Sequence, residues 1–160
     1  MRSGPSRIRP REAQSGRKSR DVDSVGQVTD TQPVIRVSAV VLRDERGHFL
    51  TVRKRGTSMF MFPGGKPEHG ESPARTAIRE LDEELGVTLE EDRLELIGTF
   101  SAPAANEPDH VVESVVFSHP SVPIDGVAAE LEELRWLNPV RPFPQDQAKL
   151  STKVLEHLGY

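Results

Sequence analysis

The sequence predicts an α+β (equally, α/β) sandwich with a mixed β-sheet. Three observations carry this expectation. Apolar, β-branched runs lie on both sides of residue 72, a sharply punctuated amphipathic helix separates them, and a second apolar-striped segment closes the chain. Strands interrupted by one central and one terminal helix suggest such a sandwich.

The elements follow in order. Residues 1–32 are poor in apolar groups and show no period, so they are expected to form a disordered extension. The domain is expected to run over residues 33–160. Val34–Asp44 is β-branched and largely apolar, the pattern of a buried strand. Glu45–His48 is a turn. Phe49–Arg55 alternates, with Leu50, Val52 and Lys54 on one face. The two runs are expected to form a strand pair. Met59–Glu71 passes from a short apolar stretch into a Gly/Pro loop.

The central helix has clear limits. Ser72 is a good N-cap, Pro73 a good first helical residue, and Gly86 a good left-handed terminator. Ala74, Ile78, Leu81 and Leu85 form its apolar stripe. Leu94–Ala102, His110–His119 and Glu133–Pro139 read as strands, and Pro144–Tyr160 as the terminal helix.

Composition narrows the function classes. The chain has 160 residues, enough for one domain with a real core. It has no cysteine, which excludes disulfides, thiolate catalysis and Cys-ligated zinc. That fits a reducing compartment or an indifferent one, and a cytoplasmic location is expected. No apolar run is long enough to span a membrane. The Arg- and Ser-rich start has no apolar core of a secretory signal and no apolar stripe of a transit peptide. Residues 1–30 carry seven basic and four acidic side chains, a net +3, so the remainder is −7 against an overall −4. An acidic domain argues against nucleic acid as a partner. A monomer or homodimer that binds a small molecule is expected.

The segment "RELDEELG" (Arg79–Gly86) is poorly explained by stability. Its acids sit near the negative pole of the helix. Glu80 and Glu84 are an i,i+4 pair of like charge, unfavourable by roughly 0.2–0.5 kcal/mol in an isolated helix. Only Glu83 has a basic residue at that spacing, Arg79. At 100° per residue, Glu80, Glu83 and Glu84 share a sector of about 100° away from the apolar stripe, whereas Asp82 points elsewhere. The Gly64–Gly65 turn can bring a bare carbonyl to them. Carboxylates converging with a carbonyl make an all-oxygen site suited to Mg²⁺, Mn²⁺ or Ca²⁺. Mg²⁺ completes its shell with water and phosphates, which points to phosphoryl or nucleotidyl hydrolysis. Arg53 and Arg55 could hold phosphate oxygens, or be ordinary edge-strand charges.

The run "GKPEHGESPARTAIRELDEELGV" (Gly65–Val87) resembles the Nudix box at every defined position: Gly65, Glu71, Arg79, Glu80, Leu81, Glu83, Glu84, Gly86 and Val87. At about 7% usage per fixed residue type, a chance match is on the order of 10⁻⁹ per window. The resemblance extends in outline from residue 34 to about 140, through the "RWLNP" segment. It implies the Nudix α/β/α sandwich with a catalytic loop-helix-loop. It implies hydrolysis of a diphosphate linkage in a nucleotide, such as a nucleoside triphosphate or ADP-ribose, with Mg²⁺ or Mn²⁺ as cofactor. It assigns Glu80 and Glu84 as core metal ligands, Glu83 as a further ligand, and the Gly64 carbonyl as another. Arg79 is expected to pair with Glu71 and brace the loop.

A base or water-orienting acid outside the box could be Glu107, Glu113, Glu130 or Glu133. Phe62 and Asn106, with Phe60 and Phe100, could contact a base, although alternating phenylalanines also suit a core. Pro103 stands sixteen residues after Val87, as in ADP-ribose hydrolases. The competing expectations are a nucleotide-sensing module without turnover, for which no helix-turn-helix is evident, and a protein acting through its basic tail.

Overall fold

The computed structural model describes residues 32–124 and 126–160. The extension expected at residues 1–32 therefore lies, except for Gln32, outside the described residues.

Among the described residues, six strands and two α-helices follow in the order β1 (Val34–Val41), β2 (Phe49–Lys54), β3 (Gly64–Gly65), α1 (Pro73–Leu85), β4 (Glu95–Pro103), β5 (Val111–Ser118), β6 (Leu131–Leu137) and α2 (Lys149–His157). The main sheet has the order β3-β1-β5-β4 and is mixed: β1 runs parallel to β5 and antiparallel to β3, and β4 is antiparallel to β5. β2 and β6 form a separate antiparallel pair.

The second half of β1, Ser38–Val41, is buried on both faces, which fits its apolar sequence. Val40 and Leu42 pack with Ala77, Leu81 and Leu85 of α1. Ala39 and Val41 pack with Leu150, Val154 and Leu155 of α2. The sheet thus separates two apolar layers, one under each helix. Each fully buried Leu or Val contributes about 1.5–3 kcal/mol. No helix among the described residues is long and apolar enough to cross a membrane.

The expected pairing of β1 with β2 is corrected. Both edges of β1 are taken, one by β5 and the other by β3. Only the turn survives: Leu50 N–H donates to Leu42 O at 3.0 Å, and Asp44 Oδ1 accepts from Arg46 and His48 N–H at 2.9 and 2.8 Å. The chain then leaves to pair with β6. The terminal helix also starts later than Pro144. Phe60 N–H donates to Asp146 O at 2.7 Å, and Ala148 N–H donates to Phe60 O at 2.8 Å. Those backbone groups are therefore used in a sheet-like contact, not a helical turn.

Candidate active site

α1 has the limits its sequence predicts. Ser72 Oγ accepts from Arg75 N–H at 3.2 Å, and Gly86 closes the helix at φ 63° with its N–H on Asp82 O. Two neighbouring stripes run along it. Ala77, Leu81 and Leu85 face the apolar layer. Glu80 and Glu84, also four apart, face β3. Glu84 lies closer to the packing face than the expected polar sector and is fully buried.

β3 brings the loop to those acids. Gly64 pairs with Ala39 at φ 148°, and an added Cβ would come within 2.7 Å of Ala39 Cα and closer still to the Ser38 carbonyl oxygen. At Gly65 a Cβ would overlap the Glu80 carboxylate itself. Glycine is thus required at both positions by close approach, of backbone in one case and of a carboxylate in the other.

Arg79 organises the loop. Its Nε donates to Glu71 Oε1 at 2.7 Å and its Nη2 to Glu71 Oε2 at 3.0 Å, a two-pronged pair. Nη2 also reaches Lys66 O at 2.9 Å, while Nη1 reaches Glu80 Oε1 at 3.0 Å and Glu83 Oε2 at 3.1 Å. Glu71 Oε2 accepts two further bonds, from Glu68 N–H at 2.9 Å and Thr76 Oγ1 at 3.0 Å. The Arg79 hydrogen bonds, with help from Glu68 N–H, lower the Glu71 pKa to about 2. The Glu71 hydrogen bond in turn raises that of Arg79.

Glu84 is held differently. Its Oε2 accepts from Gly64 N–H at 3.0 Å. Its Oε1 lies 2.8 Å from Lys54 Nζ, an ion pair with the ammonium of β2. Burial pushes the Glu84 carboxyl up, against the pull of the Lys54 ammonium and the Gly64 N–H. Burial works against the Lys54 ammonium too, but the Glu84 carboxylate and the more distant Glu80 and Glu130 outweigh it, and the lysine is raised. Lys54 is the site residue that sequence reasoning missed. The signal was present: a charge on the strand face that otherwise carries Leu50 and Val52.

Several of these groups line a cleft of about 500 Å³. Glu80, Glu83, Gly64 and Lys54 are among its lining residues, as are Phe62, Pro103 and Asn106. Of the expected outside acids, Glu107 and Glu130 line the cleft, whereas Glu113 pairs with Arg36 at 3.4 Å and Glu133 with Arg53 at 2.9 Å. The structure does not bring Arg53 and Arg55 to the cleft. Arg53 is tied to Glu132, Glu133 and the Thr57 carbonyl, and Arg55 Nε donates to Ala129 O at 3.0 Å.

Among the described residues, no three acidic or histidine side chains already converge into a metal cage. Arg79 and Lys54 hold the carboxylates instead. The oxygens available are Glu84 Oε1, the Gly64 carbonyl, and the carboxylates of Glu80 and Glu83. This negative, all-oxygen donor set, with one fully buried carboxylate already facing a cation, is of the kind a hard divalent cation selects.

Residues 33–158 match the family model described as the NUDIX domain. The chain belongs to the Nudix family. It is 30% identical over 105 residues to a MutT-like protein of Streptomyces ambofaciens, covering 66% of this chain and 64% of that protein. It is 41% identical over 58 residues to the 8-oxo-dGTP diphosphatase of Haemophilus influenzae, covering 34% of this chain and 43% of that enzyme. The alignments thus cover less than two thirds of the length of these Nudix relatives. The MutT protein from Methanosarcina mazei superposes with a TM-score of 0.67 at 23% identity, over 79% of this chain and 93% of that one. That likeness identifies the Nudix fold.

Proposed function

We propose that this Nudix protein is a pyrophosphohydrolase, dependent on a divalent metal ion, that cleaves a diphosphate linkage in a nucleotide. One observation carries the reading: Glu84, fully buried, turns a carboxylate oxygen to a cation position, held here by the Lys54 ammonium, beside the cleft-lining Gly64, Glu80 and Glu83.

Glu84, Glu80, Glu83 and the Gly64 carbonyl would hold the ion, Mg²⁺ or Mn²⁺. Bound there, it would polarise a phosphoryl oxygen and lower the pKa of a water. The chain's own residues do the rest. Arg79 fixes the directions of Glu80 and Glu83, and Glu71 fixes Arg79, an outer layer of support for the ligands. Glu130, whose charge acts on Lys54 and whose side chain lines the cleft, is placed to take a proton from water or to orient it. Glu107 is the second candidate for that role. The cleft is large enough for one nucleotide. Its apolar floor, with Ile35, Val37 and Leu150, suits a base or sugar face, and Asn106 at the wall can pair with a polar edge.

The reading is tested with a panel of nucleoside triphosphates, oxidised nucleoside triphosphates and ADP-ribose in the presence of Mg²⁺, with product identification. Hydrolysis to a nucleoside monophosphate from at least one member is expected. No turnover of any member by metal-loaded protein would overturn it.

A further inference from the structure

Lys54 ends β2 on a face whose other members, Leu50 and Val52, are fully buried. Its ammonium lies 2.8 Å from Glu84 Oε1 and 3.4 Å from the Gly64 carbonyl oxygen. Glu80 and Glu130 are near enough for their charges to act on it. A single nitrogen cation therefore sits among the oxygens assigned above to a divalent one.

We propose that Lys54 is a positioning residue, an internal counter-ion of Glu84 that competes with the divalent cation and lowers the affinity of the site for it. The proposal rests on the metal reading given under the proposed function. An unpaired, fully buried carboxylate is strongly disfavoured, so the ionised form of Glu84 needs a cation beside it. Lys54 supplies one from within the chain. It keeps Glu84 aligned, with Oε2 on the Gly64 N–H. A divalent ion on Oε1 and an ammonium 2.8 Å from the same oxygen would repel strongly at that separation, so one displaces the other. Lys54 has a way out. Its side chain is 34% exposed and lines the cleft, and its four-carbon stem is flexible.

The test uses the full chain, stripped of metal by chelation, with Mn²⁺ alone as the probe. Binding is followed by calorimetry and by the electron paramagnetic resonance signal of free Mn²⁺. Lys54→Met keeps the stem and removes the charge. It should bind Mn²⁺ at least about tenfold more tightly than wild type, the scale of losing one repelling charge a few ångströms away. Lys54→Arg, which keeps the charge, should stay within about threefold of wild type. Equal or weaker binding by Lys54→Met overturns the proposal.

A second measurement needs no variant. Limited acetylation of wild type, read by peptide mass, should modify Lys54 faster once Mn²⁺ is bound, because the ammonium has left Glu84. An unchanged rate overturns the proposal even if Lys54→Met fails to fold. Wild type that binds Mn²⁺ while both Lys54 results fail leaves the metal reading standing. Wild type that binds no Mn²⁺ overturns both.

Discussion

Arg79 and Glu71 are joined by two nearly parallel hydrogen bonds, Nε to Oε1 at 2.7 Å and Nη2 to Oε2 at 3.0 Å. The pair ties the loop before α1 to the helix turn that carries Glu80 and Glu83. Because Glu71 is depressed from 4.5 to about 2, its contribution to stability is present above pH 4.5 and is lost as the pH falls toward 2. Glu71→Gln should therefore be less stable than wild type at neutral pH, and the gap should close between pH 4.5 and 2. Urea unfolding at several pH values measures this. A gap independent of pH would show that the carboxylate is not the stabilising group.

Glu84→Gln keeps the shape of the side chain and removes its charge. The variant should lose at least about a hundredfold in turnover, the upper end of what support around a metal site is worth. Circular dichroism should show the fold retained. Turnover within a few-fold of wild type would remove Glu84 from the proposed ligand set.

Metal should raise the thermal stability of wild type, by about 2.7 kcal/mol when its concentration is a hundred times Kd. A Glu80→Gln, Glu84→Gln double variant should lose that gain. Differential scanning calorimetry with and without Mg²⁺ decides it. The repulsion that makes "RELDEELG" a poor helix sequence would then be relieved by the bound ion.

The two glycines of β3 should fail in different ways. A methyl at Gly64 meets the backbone of Ser38 and Ala39, which cannot move without breaking the sheet, so Gly64→Ala should be destabilised by about 3 kcal/mol or more. A methyl at Gly65 meets only the Glu80 carboxylate. Gly65→Ala should remain folded and lose activity. Paired denaturation and rate measurements separate these outcomes, and a Gly65→Ala variant of full activity would mean that Glu80 is free to move aside.

In the apolar layer under α1, Leu81 is fully buried. Leu81→Ala should destabilise the fold by about 2–5 kcal/mol, measured by chemical denaturation.

The helix that carries the acids was legible from the chain alone. Its limits are set by Ser72, Pro73 and Gly86, and its stripes by a period of 3.6 residues, and both are local properties. The family, too, followed from nine residues at fixed spacing along one loop and one helix. Partners distant in sequence were decided only by the tertiary structure. Whether β2 pairs with β1 depends on whether an edge of β1 is free, and Gly64–Gly65 and β5 occupy both. Whether Arg53 reaches a phosphate depends on β6, which delivers Glu132 and Glu133 to it first. Lys54 could be seen as a charge on an apolar face, but not that Glu84, thirty residues further on, would meet it. Short-range geometry is fixed by caps and period. Long-range pairing follows from competition among edges and charges that only the folded chain brings together.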